Sequence, residues 1–317
     1  MTTAVQTVPR QHSQTRDQDN AEPIDAKTSR YAAYKELAKP RIAMMVIISM
    51  GVGYVLGGMG EWNLLQFIHA SIGVVLAVIS SSTLNQLLER DTDARMPRTQ
   101  NRPLPTGRLT GEEVFLFGTA CGLISYVYLY LTVNPTIAWL TLATNVSYVC
   151  FYTPLKRRSR LCTAIGAIPG AMPPVLGWAA TGNPLSLTTF ALFAILFVWQ
   201  FPHFLAIAWM YREQYDGAGL KMLPSQRPKV TGSVALMYAV CLIPISLIPM
   251  YTGFAGHFYA AVAVLLGVMY AWYSIQFLFD ETRQRARRLL FASLCYLPVL
   301  LLVLTVDHLR LLKPMIF

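Results

Sequence analysis

Nine apolar stretches, each close to the length of a bilayer-crossing helix, set the limits on what this chain can become. They run at about 42–58, 66–88, 113–132, 135–153, 161–180, 187–210, 232–252, 258–279 and 289–306. About twenty apolar residues cross a hydrocarbon core as a helix, whereas a barrel strand needs only about ten. Within lipid the backbone must satisfy its own hydrogen bonds, so stretches of this length are helical. The sequence therefore predicts an all-α polytopic membrane protein, with nine transmembrane helices bundled around a central cavity. Composition agrees: 54% of the residues are hydrophobic and 13% are charged, against about a quarter charged in a soluble domain.

The charge pattern orients the bundle. Of the 26 Lys and Arg residues, 24 fall on one side when the N-terminal tail is counted with it. Only Arg310 and Lys313 fall on the other. Positive residues gather on the cytoplasmic side, so the N-terminus is expected there and the C-terminus outside. The net charge of +10 would suit nucleic acid, but its carriers lie in short segments between apolar runs. That is a topology signal, and the bilayer, not nucleic acid, is the expected partner. Residues 1–30 are polar, lack an apolar core and contain Asp17, Asp19, Glu22 and Asp25. They read as a disordered tail rather than a targeting peptide, with the membrane domain over 31–317. The five cysteines lie in or beside apolar runs without CxxC spacing, as packing residues do.

The chemistry concentrates after the second apolar stretch, in NQLLERDTDARMPRTQNRPLPTG at 85–107. Asn85, Glu89 and Asp93 are spaced i, i+4, i+8. Each step of four advances about 40° around a helix, so the three share a face. An amide and two carboxylates suit Mg²⁺, which takes one or two carboxylates together with substrate phosphates. Asp91 lies between them as a further candidate. The arginines that follow, Arg98 and Arg102 among them, suit a diphosphate. The plainer reading is a solvated loop whose acids balance its arginines. A second long loop on the same side, YREQYDGAGLKMLPSQRPK, brings Glu213 and Asp216. Its position four helices after the first loop hints at an old internal duplication.

Other stretches carry two readings each. Lys39-Pro40-Arg41 opens the first helix as a headgroup anchor or, for Arg41, a diphosphate contact. Lys156, in YTPLKRR at 152–158, is a positive-inside stop or a contact to an anionic substrate. Gly166, Gly170 and Gly177, with Pro169, Pro173 and Pro174, break the fifth helix, for packing or to wall a bulky ligand. His203, in WQFPHF at 199–204, is an ionisable group inside an apolar helix. Such a group is functional by default. It is either an iron ligand, with Gln200 beside it on the same face, or a hydrogen-bonded partner of another helix. His257 and His308 look incidental.

Taken together, KPR at 39–41, NxxxExxxD before RTQNRPLP, YTPLKRR, GAIPGAMPPVLGW at 166–178, WQFPHF and GLKMLP at 219–224 resemble the UbiA-type intramembrane prenyltransferase superfamily. Within it they resemble the branch that prenylates heme. These motifs cover residues 35–230 in order; the last three helices match in number and hydropathy. The resemblance implies a farnesyl group moving from farnesyl diphosphate to a vinyl group of heme B, in a bacterial inner membrane. It implies Mg²⁺ on Asn85, Glu89 and Asp93, diphosphate contacts from Arg98, Arg102, Lys156 and Arg41, and heme contacts from His203 and Gln200. Later heme-modifying or oxidase-assembly proteins would then take the product. The chain departs from the family pattern at Glu89, where Asp is usual, and at Gln214, where an acid often precedes the tyrosine. The second-loop metal role therefore falls to Glu213 or Asp216. An aromatic acid such as 4-hydroxybenzoate is the rival acceptor, and a secondary transporter the rival class; transporters place their charged sites near the midplane.

Overall fold

The structure is a computed structural model that describes residues 26–156, 158–159, 161–217 and 229–316. All regular elements among these residues are helical. In chain order they are α1 (Ala26–Ala38), α2 (Pro40–Gly57), α3 (Leu64–Asp93), α4 (Gly111–Thr132) and α5 (Pro135–Val146). A π-helical stretch (Ser147–Tyr152) leads into α6 (Thr153–Leu155), then α7 (Cys162–Ala171), α8 (Pro173–Ala180), α9 (Leu187–Met210) and α10 (Arg212–Gly217). The chain ends with α11 (Val230–Tyr251), α12 (His257–Phe279) and α13 (Arg283–Ile316). Seven spans among the described residues are long and apolar enough to cross a membrane, which makes this a multi-pass membrane protein. Two further apolar stretches are divided: 135–155 by its π turn, and 162–180 at Met172 ahead of Pro173. Proline lacks an N–H and crowds the carbonyl four residues back, which accounts for the second break. α1 begins inside the stretch expected to be a tail, and residues 1–25 lie outside the description.

Local chemistry starts most helices. Asn63 accepts from Gln66 N at the head of α3, Thr110 and Glu113 form a capping box on α4, and Asn134 precedes Pro135 on α5. These are ordinary N-terminal signals. Two helices are capped from a distance instead. Asp307 of α13 accepts from Gly256 N at 2.6 Å and Tyr259 N at 3.3 Å, at the start of α12. Glu281 accepts from Lys229 N and Gly232 N, both at 2.9 Å, at the start of α11. A carboxylate at a helix N-terminus satisfies orphan N–H groups and complements the macrodipole. His308 is buried as well; its Nδ1 donates to Phe254 O at 3.1 Å and its ring stacks on Phe254. It is a packing residue rather than an incidental one.

Two cores organise the bundle. One gathers α2, α3, α4, α5 and α8 around Met50, Tyr54, Val74, Leu129, Ile137 and Leu176. The other gathers α9, α11, α12 and α13 around Tyr259, Tyr270, Phe277 and Tyr296, with Trp178 of α8 reaching into it. Lipid tails are as apolar as leucine, so close backbone approach and van der Waals contact hold such helices together. α2 and α8 show this best. A Cβ built on Gly177 would sit 1.8 Å from the Met50 carbonyl oxygen, and one on Gly53 would sit 1.8 Å from that of Pro174. Beside this contact lies a narrow cavity of about 60 Å³, lined by α2, α3, α5, α7 and α8, with Val46, Val74, Val78 and Leu176 among its walls.

The backbone contact makes a prediction. Gly177→Ala should lower the melting temperature of the detergent-purified protein by several degrees, since overpacking costs about 1–3 kcal/mol and here the obstacle is backbone. Gly217→Ala, at a position with nothing within 4 Å of the added methyl, should leave it unchanged. Thermal unfolding followed by intrinsic fluorescence measures both.

Candidate active site

The end of α3 carries the expected face. Asn85 and Asp93 are buried, and Glu89 is half-buried. Asn85 Nδ2 donates to Thr153 Oγ1 at 3.1 Å, and Thr153 Oγ1 donates to Tyr148 O at 2.9 Å. This commits one N–H of the amide to the protein and leaves its Oδ1 without a protein donor among the described residues. The π turn positions Thr153. Pro154 follows it directly, has no N–H to give and crowds the carbonyl of residue 150, so the helix widens there. Tyr148 and Tyr152 stand next to each other with ring centroids 5.1 Å apart, and Gly166 lets Tyr152 lie against α7.

Each carboxylate has its own cation. Lys156 Nζ lies 2.7 Å from Glu89 Oε1 and 4.5 Å above the Tyr152 ring. Burial works against the charge of Lys156, but the neighbouring Tyr152 and Glu89 outweigh it and hold its pKa above the ordinary lysine value. Arg102 Nη1 donates to Asp93 Oδ2 at 2.6 Å, and Thr99 Oγ1 donates to Asp93 O at 3.0 Å. The RTQNRPLP loop is thus folded back onto the end of the helix from which it leaves. Arg108 pins its far side, donating to Asn101 O at 2.6 Å and to Glu36 of α1 at 2.8 Å. Lys39, in the left-handed region with φ 47° between α1 and α2, is a third cation within electrostatic reach of Glu89, Asp93, Arg102 and Lys156. Among the described residues, two carboxylates therefore lie together with three cations.

The other expected residues are placed differently. Asp91 is exposed and pairs with Arg90 at 3.4 Å, off the shared face. Glu213 is 90% exposed and among the described residues pairs with Arg212, at 3.8 Å, so it does not join the α3 acids. The Asp216 side chain and the GLKMLP run lie outside the described residues. Arg41 is exposed on the first turn of α2; Lys39, two residues earlier, is the member of that motif that interacts electrostatically with this cluster, with Arg102 and Lys156 ahead of Glu89 and Asp93. Arg98 is exposed and stacks over Tyr211 at 5.2 Å, where Met96 and Tyr215 also join the two long loops. Among the described residues no three His, Cys, Asp or Glu side chains gather to hold a metal by themselves. Asn85, Glu89 and Asp93 nonetheless fit Mg²⁺, an ion that keeps waters and completes its shell with substrate phosphates.

Around α9 the two expected heme residues part company. Gln200 Nε2 donates to Leu196 O at 2.9 Å and Ala167 O at 3.2 Å, and its Oε1 lies against Gly170. Its amide ties α9 to α7 and has no donor left. His203 faces α13 instead: Nδ1 is 2.7 Å from Ser293 Oγ, and the ring stacks on Trp199 at 4.9 Å. The i, i+3 spacing suggested one shared face, but the two side chains turn to opposite neighbours.

The prenyltransferase family model for UbiA matches residues 45–295, enclosing nearly all of this geometry. The chain belongs to the UbiA prenyltransferase family. Among its curated relatives it is 41% identical over 286 residues to a protoheme IX farnesyltransferase of Solibacter usitatus, covering 87% of this chain and 98% of that protein. It is 38% identical over 287 residues to one of Opitutus terrae, covering 90% and 97%. Solved UbiA folds superpose on it at low identity. A digeranylgeranylglyceryl phosphate synthase does so with TM-score 0.77 at 15% identity, covering 89% of this chain and 99% of that one. A UbiA homologue from Archaeoglobus fulgidus bound to DMAPP and Mg²⁺ gives TM-score 0.64 at 17% identity, again covering 89% and 99%.

The paired recess is testable without substrate. Lys156→Met leaves Glu89 buried and unpaired and should destabilise the UbiA fold by roughly 3 kcal/mol, the low end for a broken buried pair. Adding Glu89→Gln should restore more than half of that loss, because the orphaned charge is gone. A double variant whose melting-temperature drop equals the sum of the two single drops would show that the residues are not coupled.

Proposed function

We propose that this protein transfers the farnesyl group of farnesyl diphosphate to a vinyl group of heme B, yielding heme O. The observation that carries this reading is the recess of matched charges at the end of α3, in a chain so similar to protoheme IX farnesyltransferases. An ordinary solvated loop would leave its acids and arginines in water. Here Asp93 is 5% exposed at its side chain and Glu89 13%, and the cost of burying them is offset by the dedicated cations.

The chain's own residues suggest the order of events. Arg102, Lys156 and Lys39 would receive the diphosphate, exchanging carboxylate partners for phosphate oxygens. Glu89 and Asp93, released from those pairs, would hold Mg²⁺ with Asn85. Bound Mg²⁺ supplies Lewis-acid stabilisation of the leaving diphosphate. The helix walls then exclude water from the allylic cation as its C–O bond breaks. The cavity of about 60 Å³ is far smaller than a farnesyl chain, so the prenyl tail would enter by spreading the helices that line it. The terminal carbon of the vinyl group forms the new bond to farnesyl C1. The cation left on its inner carbon takes up water, loses a proton and becomes the hydroxyethyl group. His203 would contact the heme, while Gln200 holds the helix that carries it.

The finer architecture belongs to the same proposal. Counting the divided stretches 135–155 and 162–180 as crossings gives nine, with both long loops and the N-terminus on the cytoplasmic side of a bacterial inner membrane. A tail over 1–30 and a single catalytic domain over 31–317 complete it. The recess then opens where both anionic-headed substrates are made, and later heme-modifying enzymes or oxidase-assembly proteins would receive heme O.

Purified protein given heme B, farnesyl diphosphate and Mg²⁺ should release diphosphate and produce a pigment with the mass of heme O. Asp93→Asn, which keeps the shape but not the charge, should lower turnover by at least a hundredfold with little loss of heme binding. No pigment of that mass, together with prenylation of 4-hydroxybenzoate, would move the protein to the aromatic-acceptor branch. For topology, a single cysteine at Thr106 in a cysteine-free background should react in intact cells only with membrane-permeant reagents. Reaction with an impermeant reagent would invert the orientation.

A further inference from the structure

The contacts of His203 determine more than its position. Its Nδ1 is 2.7 Å from Ser293 Oγ on α13. Ser293 is fully buried, and its Oγ lies 2.6 Å from the main-chain oxygen of Leu290. A carbonyl only accepts, and a hydroxyl has one proton, so that proton goes to Leu290. The oxygen then faces Nδ1 with a lone pair, and Nδ1 must be the donor. A neutral imidazole carries one N–H, which leaves Nε2 with a bare lone pair and no protein partner among the described residues. The ring is half-buried rather than sealed.

The neighbouring polar atoms are already committed. Trp199 stacks on the ring at an interplanar angle of 25° and donates Nε1 to Ser293 O at 2.9 Å. Tyr270 donates its hydroxyl to Trp199 O at 3.2 Å, and its oxygen also lies within hydrogen-bonding reach of the Ser293 hydroxyl. Trp199 therefore fixes the plane of the imidazole, and Ser293 fixes which nitrogen holds its proton.

We propose that Ser293 is a positioning residue for the heme: it holds His203 as the Nδ1–H tautomer so that Nε2 is free to coordinate the iron of heme B. This rests on the reading of His203 as the heme contact. Metal-binding histidines characteristically donate their second ring N–H to an oxygen, and loss of that partner costs about 10–100-fold in metal affinity. The bond also keeps the imidazole basic and correctly turned before the heme arrives. A hydroxyl on α13 thus prepares a ligand on α9, across the interface of the second core.

The test uses the full-length protein in detergent, titrated with heme B. Affinity is read from the Soret band, and the iron–histidine stretch from resonance Raman of the ferrous complex. Ser293→Ala should weaken heme binding roughly tenfold and shift that stretch, while farnesyl diphosphate binding stays unchanged. Ser293→Thr, which keeps the hydroxyl, should restore both. His203→Ala should lose the stretch altogether. If Ser293→Ala matches the wild type while His203→Ala loses the stretch, the role of Ser293 is overturned and His203 remains the ligand. If Ser293→Thr is as weak as Ser293→Ala, the effect follows packing and the proposal is again overturned. If His203→Ala keeps the wild-type spectrum and affinity, the reading of His203 falls, and the proposal with it.

Discussion

Two carboxylates at the end of one membrane helix require cations, and much of the structure around α3 answers that requirement. Charges taken out of water are costly unless closely paired. Glu89 draws Lys156 across from the end of the π turn and α6, and Asp93 draws Arg102 back from the loop it precedes. The π turn, the reversal of the RTQNRPLP loop and the left-handed break at Lys39 all serve to bring positive groups to this one place. The same pairing neutralises both carboxylates and leaves the cations able to exchange one anion for another.

The second centre is built differently. Around His203 the described residues form no ion pair but match neutral donors and acceptors between α9, α12 and α13: imidazole to Ser293, indole to the Ser293 carbonyl, phenol to the Trp199 carbonyl. A neutral network is the form that suits the apolar depth of a bundle, where an unsatisfied polar group costs several kcal/mol. The two centres are built by different helices, and α8 bridges the two cores: Leu176 packs in one and Trp178 in the other. Close contact between α2 and α8 at Gly53 and Gly177 holds this bridge.

Hydropathy alone determined the fold class, because bilayer thickness converts apolar length directly into helices. Spacing alone placed Asn85, Glu89 and Asp93 together, since a helix turns by a fixed angle per residue. The glycines and prolines of residues 166–177 announced a broken helix for the same local reason. These features need no knowledge of distant partners. Tertiary structure decided what required a neighbour: that Lys39 rather than Arg41 lies near the charged cluster, that Glu213 points to solvent, and that Asp307 and Glu281 cap helices about fifty residues away in sequence. It also separated Gln200 from His203, sending one to α7 and the other to Ser293. Helical periodicity fixes the direction in which a side chain leaves its own helix, but the identity of the group it meets depends on which helix packs there, and that is a property of the assembled bundle.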